Sequence, residues 1–316
     1  MNPLETGIAI DKPAHDPAPT HKLPSRILHQ WPVGTFVENL TFDADGALLV
    51  TVHSTQTLER CGLEGGAETV AQLPGPVAGP VVVDDHLFVN VGAPGVAPGT
   101  IYRAPGGGGR RTFEPWVVVE EALFLNGAAP FLGGSILVAD SILGRIYRID
   151  TRARSASIWL EAPELKKVTG QPWMPGVNGL KVFGRHVYFS NTDAATIGRI
   201  AFDERGRPGA VERIAERFTC DDFAFDVEGN LYATTHIQNS LTRLSPAGER
   251  VILADAADGL AGCTAVAFGT GEHARSAFVT TTGGILAPFE GRVREAKLVR
   301  VEVGIAGAPL APVGGP

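Results

Sequence analysis

The chain has 316 residues, of which 44% are hydrophobic and 19% charged, a balance typical of a folded globular protein. Its formal net charge of −7 argues against a surface for nucleic acid or anionic membranes. The 39 glycines and 23 prolines favour many tight turns over long helices.

The N-terminal segment, residues 1–24, lacks the basic stretch and apolar stretch that together mark a signal peptide. Cys61, Cys220 and Cys263 are odd in number and far apart, so free thiols in a reducing compartment are expected rather than a disulfide framework. We therefore predict a cytoplasmic protein with an N-terminal extension (1–24), a single domain (25–303) and a flexible tail (304–316).

A pattern of short strands and turns recurs six times along residues 25–303. The second strands of the repeats lie 40 to 52 residues apart and begin at Gly46, His86, Gly134, His186, Asn230 and Ser276. Four antiparallel strands repeated at this period are typical of a propeller blade. We predict an all-β, six-bladed β-propeller of four-stranded blades. The segment SRILHQW (25–31) is expected to supply the strand that the last repeat lacks and so to close the ring.

Oxygen-bearing side chains recur at one register, near the start of the first strand, in five of the six repeats. They are Glu38, Asn126, Asn178, Asp221 and Thr264. Because first strands line the channel of a propeller, these side chains are expected to converge on its axis. Two carboxylates and two amides form a hard-oxygen set that suits Ca²⁺, Mg²⁺ or Mn²⁺ better than structural zinc. Taken singly, each asparagine is also explained as a turn residue.

Second strands are antiparallel to first strands, so they end at the face of the propeller where the first strands begin. Their ends are expected to bring further polar side chains to the mouth of the channel: His53, Asp140, Asn191, Asp193 and His236. His236 ends the segment TCDDFAFDVEGNLYATTH, one hairpin after Asp221. There it can donate to a substrate oxygen or move a proton, or it can simply support a neighbour. We predict Asp221 and His236 as the catalytic pair, and turn capping as the alternative role of Asp140 and Asp193.

The segments FVENLTFDADG, FLNGAA, GVNGLKV, DDFAFDVEGNLYATTH and CTAVAFG resemble the regucalcin and gluconolactonase (SMP-30-like) family of six-bladed propellers over about residues 25–303. The resemblance implies a single divalent cation held by Glu38, Asn178 and Asp221, with Asn126 beside it. Calcium is expected, with magnesium, manganese or zinc as alternatives. The resemblance also implies hydrolysis of a lactone or related ester. In that reaction the cation polarises the carbonyl, and Asp221, as ligand and base, activates a water.

One departure from the family concerns the substrate. Members that bind sugar lactones place an arginine two positions before the asparagine of the third blade, where this chain has Phe124. The predicted substrate pocket comprises Phe124, Trp173, Asn126, His53 and Thr264. We expect it to take a relatively apolar lactone or ester, although Trp173 is also explained as packing between blades.

Two other classes of function stay open. One is a non-hydrolytic biosynthetic enzyme of the cyclase or isomerase type, as among the strictosidine-synthase-like propellers. The other is a propeller that binds a ligand without catalysis. The expected partner is a small-molecule substrate, although a propeller of the last class can also hold a protein. We expect neither nucleic acid nor membrane as a partner, and a monomer or a weak homo-oligomer.

Overall fold

The computed structural model describes residues 15–43, 45–171 and 174–309. These ranges form six four-stranded antiparallel sheets, arranged as the blades of a ring. Their helices are 3-10 turns of three residues each: Leu132–Gly134, Pro163–Leu165, Ala256–Asp258 and Gly271–His273. None of these combines the length and apolar character that a membrane crossing requires. The predicted all-β, six-bladed propeller is confirmed.

Each blade runs from an inner strand at the channel to an outer strand at the rim. The inner strands are β2 (Val37–Phe42), β6 (Val77–Val83), β10 (Leu125–Pro130), β14 (Val177–Phe183), β18 (Phe223–Phe225) and β22 (Cys263–Phe268). The second strands are β3 (Leu48–Val52), β7 (His86–Val91), β11 (Ile136–Asp140), β15 (His186–Asn191), β19 (Leu231–Thr235) and β23 (Ser276–Thr281). The third strands are β4 (Thr57–Cys61), β8 (Gly99–Pro105), β12 (Arg145–Asp150), β16 (Thr196–Phe202), β20 (Ser240–Leu244) and β24 (Glu295–Glu302). The outer strands are β5 (Ala67–Gln72), β9 (Glu114–Val119), β13 (Ser155–Glu161), β17 (Pro208–Glu216), β21 (Arg250–Asp255) and β1 (Ser25–Val33).

The ring closes through β1, the first strand of the chain, which pairs with β24 as the outer strand of the last blade. Trp31 in β1 is buried, and its Nε1 donates to Oε2 of Glu59 in the first blade at 2.8 Å. The N-terminal strand therefore ties the last blade to the first and covers an edge that would otherwise be open. This is the closure predicted for residues 25–31.

The hydrophobic core is divided among the contacts between blades. Within the described residues, six clusters of buried apolar side chains fill the interfaces of neighbouring blades. Between the first and last blades, for example, Phe42 meets Phe278 edge to face at 5.4 Å. Cys61, Cys220 and Cys263 lie in these clusters as buried free thiols. Inner strands are buried on both faces because a blade packs on each side of them.

Parts of both terminal segments attach to the fifth blade. Residues 19–23 run parallel to β21, with His21 N donating to the Ile252 carbonyl at 2.8 Å. At the other end, Ala308 N donates to the Phe225 carbonyl at 2.8 Å, so residues 304–309 of the predicted tail lie against the propeller. Residues 1–14 and 310–316 lie outside the described residues.

Candidate active site

The predicted register brings polar side chains together at one end of the channel. Glu38, Asn126, Asn178 and Thr264 are each the second residue of an inner strand, and Asp221 lies just before β18. In each of those four strands the regular pairing with the second strand is interrupted at this position and the next. Such bulges re-aim side chains at the rim of a sheet. Local strand geometry therefore turns this register towards the axis.

Four of the buried polar side chains form a continuous hydrogen-bonded chain across the channel, here called the polar chain: Asn126, Asn178, Asp221 and His236. Asn126 Nδ2 donates to Asn178 Oδ1 at 2.6 Å, and Asn178 Nδ2 donates to Asp221 Oδ1 at 2.5 Å. The other carboxylate oxygen of Asp221 lies 2.8 Å from His236 Nδ1. Since an ionised carboxylate only accepts, His236 Nδ1 carries the proton in this arrangement.

His236 also approaches a residue that sequence analysis missed. Its Nε2 lies 3.2 Å from the hydroxyl oxygen of Thr282, so that Asp221, His236 and Thr282 have the order of a nucleophilic triad. Thr282 is fully buried, however, and it does not line the cavity above the polar chain. The Thr282 hydroxyl group also donates to the Gly262 carbonyl at 3.3 Å, so we interpret Thr282 as a residue that orients His236 and not as a nucleophile.

Glu38 comes from the first blade and faces the same cavity. Burial, and secondarily the nearby carboxylate of Asp221, raise the pKa of Glu38 well above its usual range, while the Asn126 side chain acts in the opposite direction. Two carboxylates in one desolvated site repel each other unless a positive charge or a proton lies between them. The site therefore favours a cationic ligand or a neutral Glu38.

The donor set fits a hard divalent cation. Within the described ranges, no three His, Cys, Asp or Glu side chains are grouped to hold a metal, so a metal here would also need amide, carbonyl or water oxygens as ligands. Asn126 Oδ1 is buried and has no hydrogen-bond partner among the described residues, which leaves it available to a cation. Carboxylate and amide oxygens are ligands that calcium prefers. To bind the ion, Asn178 Oδ1 would have to give up the hydrogen bond that it accepts from Asn126 Nδ2.

A cavity of about 610 Å³ opens above the polar chain. Its floor is polar and includes Glu38, Asn126, Asn178, Asp221 and His236. Its wall is mainly apolar and includes Phe36, Pro94, Val96, Phe124, Ile142, Met174, Ile237, Ile285 and Leu286. The predicted apolar pocket is thus present, and much of its wall comes from loops that the strand pattern does not describe.

The predicted pocket residues differ in where they lie. Phe124, Asn126 and His53 line the cavity. Thr264 does not, because its hydroxyl turns sideways and donates to the Val37 carbonyl of the first blade at 2.8 Å. The hydroxyl group of Thr264 is thus engaged between blades, and its role as a pocket residue stays a prediction. Trp173 lies outside the described residues.

The remaining polar residues predicted at the mouth hold loops in place. Asp140 accepts from the backbone N–H groups of Leu123 and Phe124 at 2.9 and 3.3 Å, which fixes the two residues that precede β10. Asp193 accepts from the backbone N–H groups of Val168 and Thr169 at 2.6 and 2.7 Å. Asp140 also accepts from the backbone N–H groups of Ile142 and Leu143 at 3.1 and 3.0 Å, so it caps the turn that follows it. Asp193 instead anchors the earlier loop at residues 168–169, which differs from the turn capping predicted for it.

Glycine at the third position of three successive inner strands lets neighbouring blades touch at the axis. A Cβ atom on Gly79 would lie 2.2 Å from the Asn126 carbonyl oxygen, and one on Gly127 would lie 2.2 Å from that of Asn178. On Gly179 it would lie 2.6 Å from Oδ1 of Asp222. A side chain at these positions would force apart the strands that carry the polar chain.

We expect Gly127→Ala to lower the free energy of unfolding by about 1–3 kcal/mol, because the added methyl group overlaps the backbone of the next blade. Urea unfolding followed by circular dichroism measures the change. Gly109→Ala is the matched control, since a Cβ atom there meets nothing within 4 Å, and it should change stability by less than about 0.5 kcal/mol. Equal stabilities of the two variants would contradict the close contact.

Two curated proteins have sequences similar to this chain, whereas no protein-family model matches it. A candidate hetero-Diels-Alderase from Phoma sp is 27% identical over 256 residues, and the candidate hetero-Diels-Alderase asR5 from Sarocladium schorii is 24% identical over 275 residues. The alignments cover 66% and 70% of this chain, and 70% and 64% of the respective relatives. The chain thus spans about two thirds of their length.

Solved structures with the same fold include three propellers. The luciferin-regenerating enzyme has a TM-score of 0.68 at 16% identity, covering 88% of this chain and 94% of its own. A calcium-binding regucalcin from Agrobacterium tumefaciens has a TM-score of 0.65 at 16% identity, covering 92% and 98%. A gluconolactonase from Xanthomonas campestris has a TM-score of 0.65 at 14% identity, covering 94% and 99%. The predicted resemblance to regucalcin and gluconolactonase is therefore confirmed as a shared fold.

Proposed function

We propose that this chain is a biosynthetic enzyme that joins a conjugated carbonyl compound to an alkene by a hetero-Diels–Alder cycloaddition. The observation that carries the proposal is the cavity of about 610 Å³, in which apolar walls surround a floor of polar side chains. A space of this size suits two medium-sized apolar reactants, whereas a small sugar lactone would leave most of it unfilled. The names of the two similar curated proteins support the same class of reaction.

The chemistry of a cycloaddition matches what the cavity provides. The C=C–C=O unit and the alkene form two σ bonds while three π bonds become one, and a dihydropyran results without transfer of protons or electrons. No nucleophile is needed, which agrees with the burial of Thr282. Phe36, Phe124 and Leu286 would hold the two reactants in contact, and such confinement can supply a large part of a rate enhancement.

The polar floor would orient the carbonyl partner. Glu38, Asn126, Asn178 and Asp221 would hold the divalent cation for which their oxygens are suited, and we propose calcium. When bound, such an ion polarises a carbonyl oxygen as a Lewis acid. His236 acts as a positioning residue, because its bond to Asp221 fixes the carboxylate that the Asn178 amide also contacts.

Metal-dependent hydrolysis of an apolar lactone or ester is the second candidate. It is favoured by the same oxygen donors in a fold shared with a gluconolactonase. Water would add to the carbonyl carbon with Asp221 as base, the ester C–O bond would break, and the proton would pass to the leaving alkoxide.

The two candidates predict different products. The protein is incubated with a conjugated enone and a vinyl ether, and separately with a panel of alkyl-substituted γ-lactones, each with and without EDTA. We expect a dihydropyran enriched in one enantiomer, detected by chiral chromatography and mass spectrometry. A racemic adduct formed at the buffer rate, together with acid release that EDTA stops, would favour hydrolysis. Metal analysis of protein purified without added ions tests the cation separately.

A further inference from the structure

His53 is a polar residue among the apolar side chains that line the cavity, and it is not a member of the polar chain. It follows β3 directly, and its ring lies between Phe36 and Phe124, at centroid distances of 5.8 and 6.1 Å. All three side chains line the cavity. An imidazole ring in this position is more than apolar filling, because it brings hydrogen-bonding nitrogens to a surface that otherwise has few.

The hydrogen-bonding capacity of His53 is not used up within the protein. Nδ1 of His53 is buried and has no partner among the described residues. By contrast, both ring nitrogens of His236 have partners, Asp221 and Thr282. Buried polar groups in native proteins usually find a partner, so one without a protein partner in a cavity wall points to a ligand.

The chemistry of the ring indicates what that ligand group is. Burial lowers the pKa of His53, and the Val77 carbonyl opposes the shift. At neutral pH the ring is therefore neutral and has one N–H and one acceptor nitrogen. A carbonyl oxygen only accepts, so Val77 can engage the N–H and leaves the acceptor nitrogen for a donor from outside.

We propose that His53 binds a hydroxyl group of the substrate and thereby selects hydroxylated reactants, phenols or enols, over their ethers. This inference rests on the proposed function in that it names a feature of that enzyme's substrate. Reactants bearing only acceptors, such as simple esters, would leave the ring nitrogen unpaired on entering the cavity. Such reactants cannot donate a hydrogen bond to His53, and the absence of this hydrogen bond is the source of the selectivity.

The test compares the binding of two probes that differ in one hydroxyl hydrogen, 2-naphthol and 2-methoxynaphthalene. We expect the wild-type protein to bind 2-naphthol about five- to tenfold more tightly by fluorescence titration, as the loss of one hydrogen bond predicts. In His53→Phe this preference should disappear, with the affinity for the ether changed less than about twofold. His53→Gln, which retains an acceptor oxygen, should recover part of the preference.

His186→Phe is the matched control. His186 begins β15 of the fourth blade, at the end of that strand far from the cavity, and it does not line the cavity. It should keep the wild-type preference. In histidine-labelled protein, the ring ¹⁵N signals of His53 should shift with 2-naphthol and not with the ether, which tests the contact without any variant. Equal binding of the probes to wild type, no binding of either probe, or a preference that survives in His53→Phe would overturn the proposal. A hydroxyl preference without cycloadduct formation would instead count against the proposed reaction alone.

Discussion

Replacing Asp221 with asparagine is expected to lower turnover of the proposed reaction by about 100- to 1,000-fold, the usual effect of losing one preorganised electrostatic group. The Asp221 carboxylate accepts from Asn178 Nδ2 and lies 2.8 Å from His236 Nδ1. Asparagine presents an NH₂ group to one of these two donors, so one hydrogen bond becomes a contact between donors. The charge that would hold a cation beside Glu38 is lost as well.

The measurement is the initial rate of adduct formation at saturating reactants, with folding checked by circular dichroism. Asp222→Asn is the control for a buried carboxylate at the neighbouring position. Asp222 does not line the cavity, and its Oδ1 lies 2.5 Å from Nζ of Lys181. We expect this variant to lose thermal stability and to keep its turnover. Similar rates for the Asp221 variant and the wild type would remove the polar chain from the mechanism.

Asp43→Ala is expected to lower the free energy of unfolding by about 3–5 kcal/mol, because it leaves a buried charge without its partner. The side chains of Asp43 and Arg111 are 0% and 3% exposed, and Nη2 of Arg111 donates to Oδ2 of Asp43. The same carboxylate accepts from the backbone N–H of Gly107 at 3.0 Å. These contacts attach the loop between β8 and β9 of the second blade to the end of β2 in the first blade.

Urea unfolding of Asp43→Ala, of Arg111→Met and of the variant that combines them separates the ion pair from simple loss of packing. Removing both charges should recover much of the stability, since the uncompensated guanidinium is then absent. If the double variant is as unstable as the sum of the two single variants, the two side chains act independently and the predicted coupling is wrong.

Much of the fold was predictable because blades are local structures. Each blade is built from strands adjacent in sequence and joined by short turns, so its pattern is visible within 40 to 52 residues. Ring closure by residues 25–31 followed from counting strands. The convergence of Glu38, Asn126, Asn178 and Asp221 followed from symmetry, since equivalent positions of inner strands meet at one axis.

The site beyond those four residues depended on contacts between blades. Thr264 shares their register, yet its hydroxyl bonds to the Val37 carbonyl, a contact between residues 227 positions apart. Thr282 reaches His236 from another blade, and Ile237 joins the wall from a loop at the mouth. No periodic pattern in the sequence marks such contacts.

The sequence by itself therefore determined the six blades, the closing strand and the register of the polar side chains, because strand alternation and repeat length are properties of neighbouring residues. Only the tertiary structure decided which of these side chains face the cavity, how they bond to one another and how apolar the wall is. Side-chain direction at the axis depends on the backbone of the next blade, and the wall depends on loops from several blades.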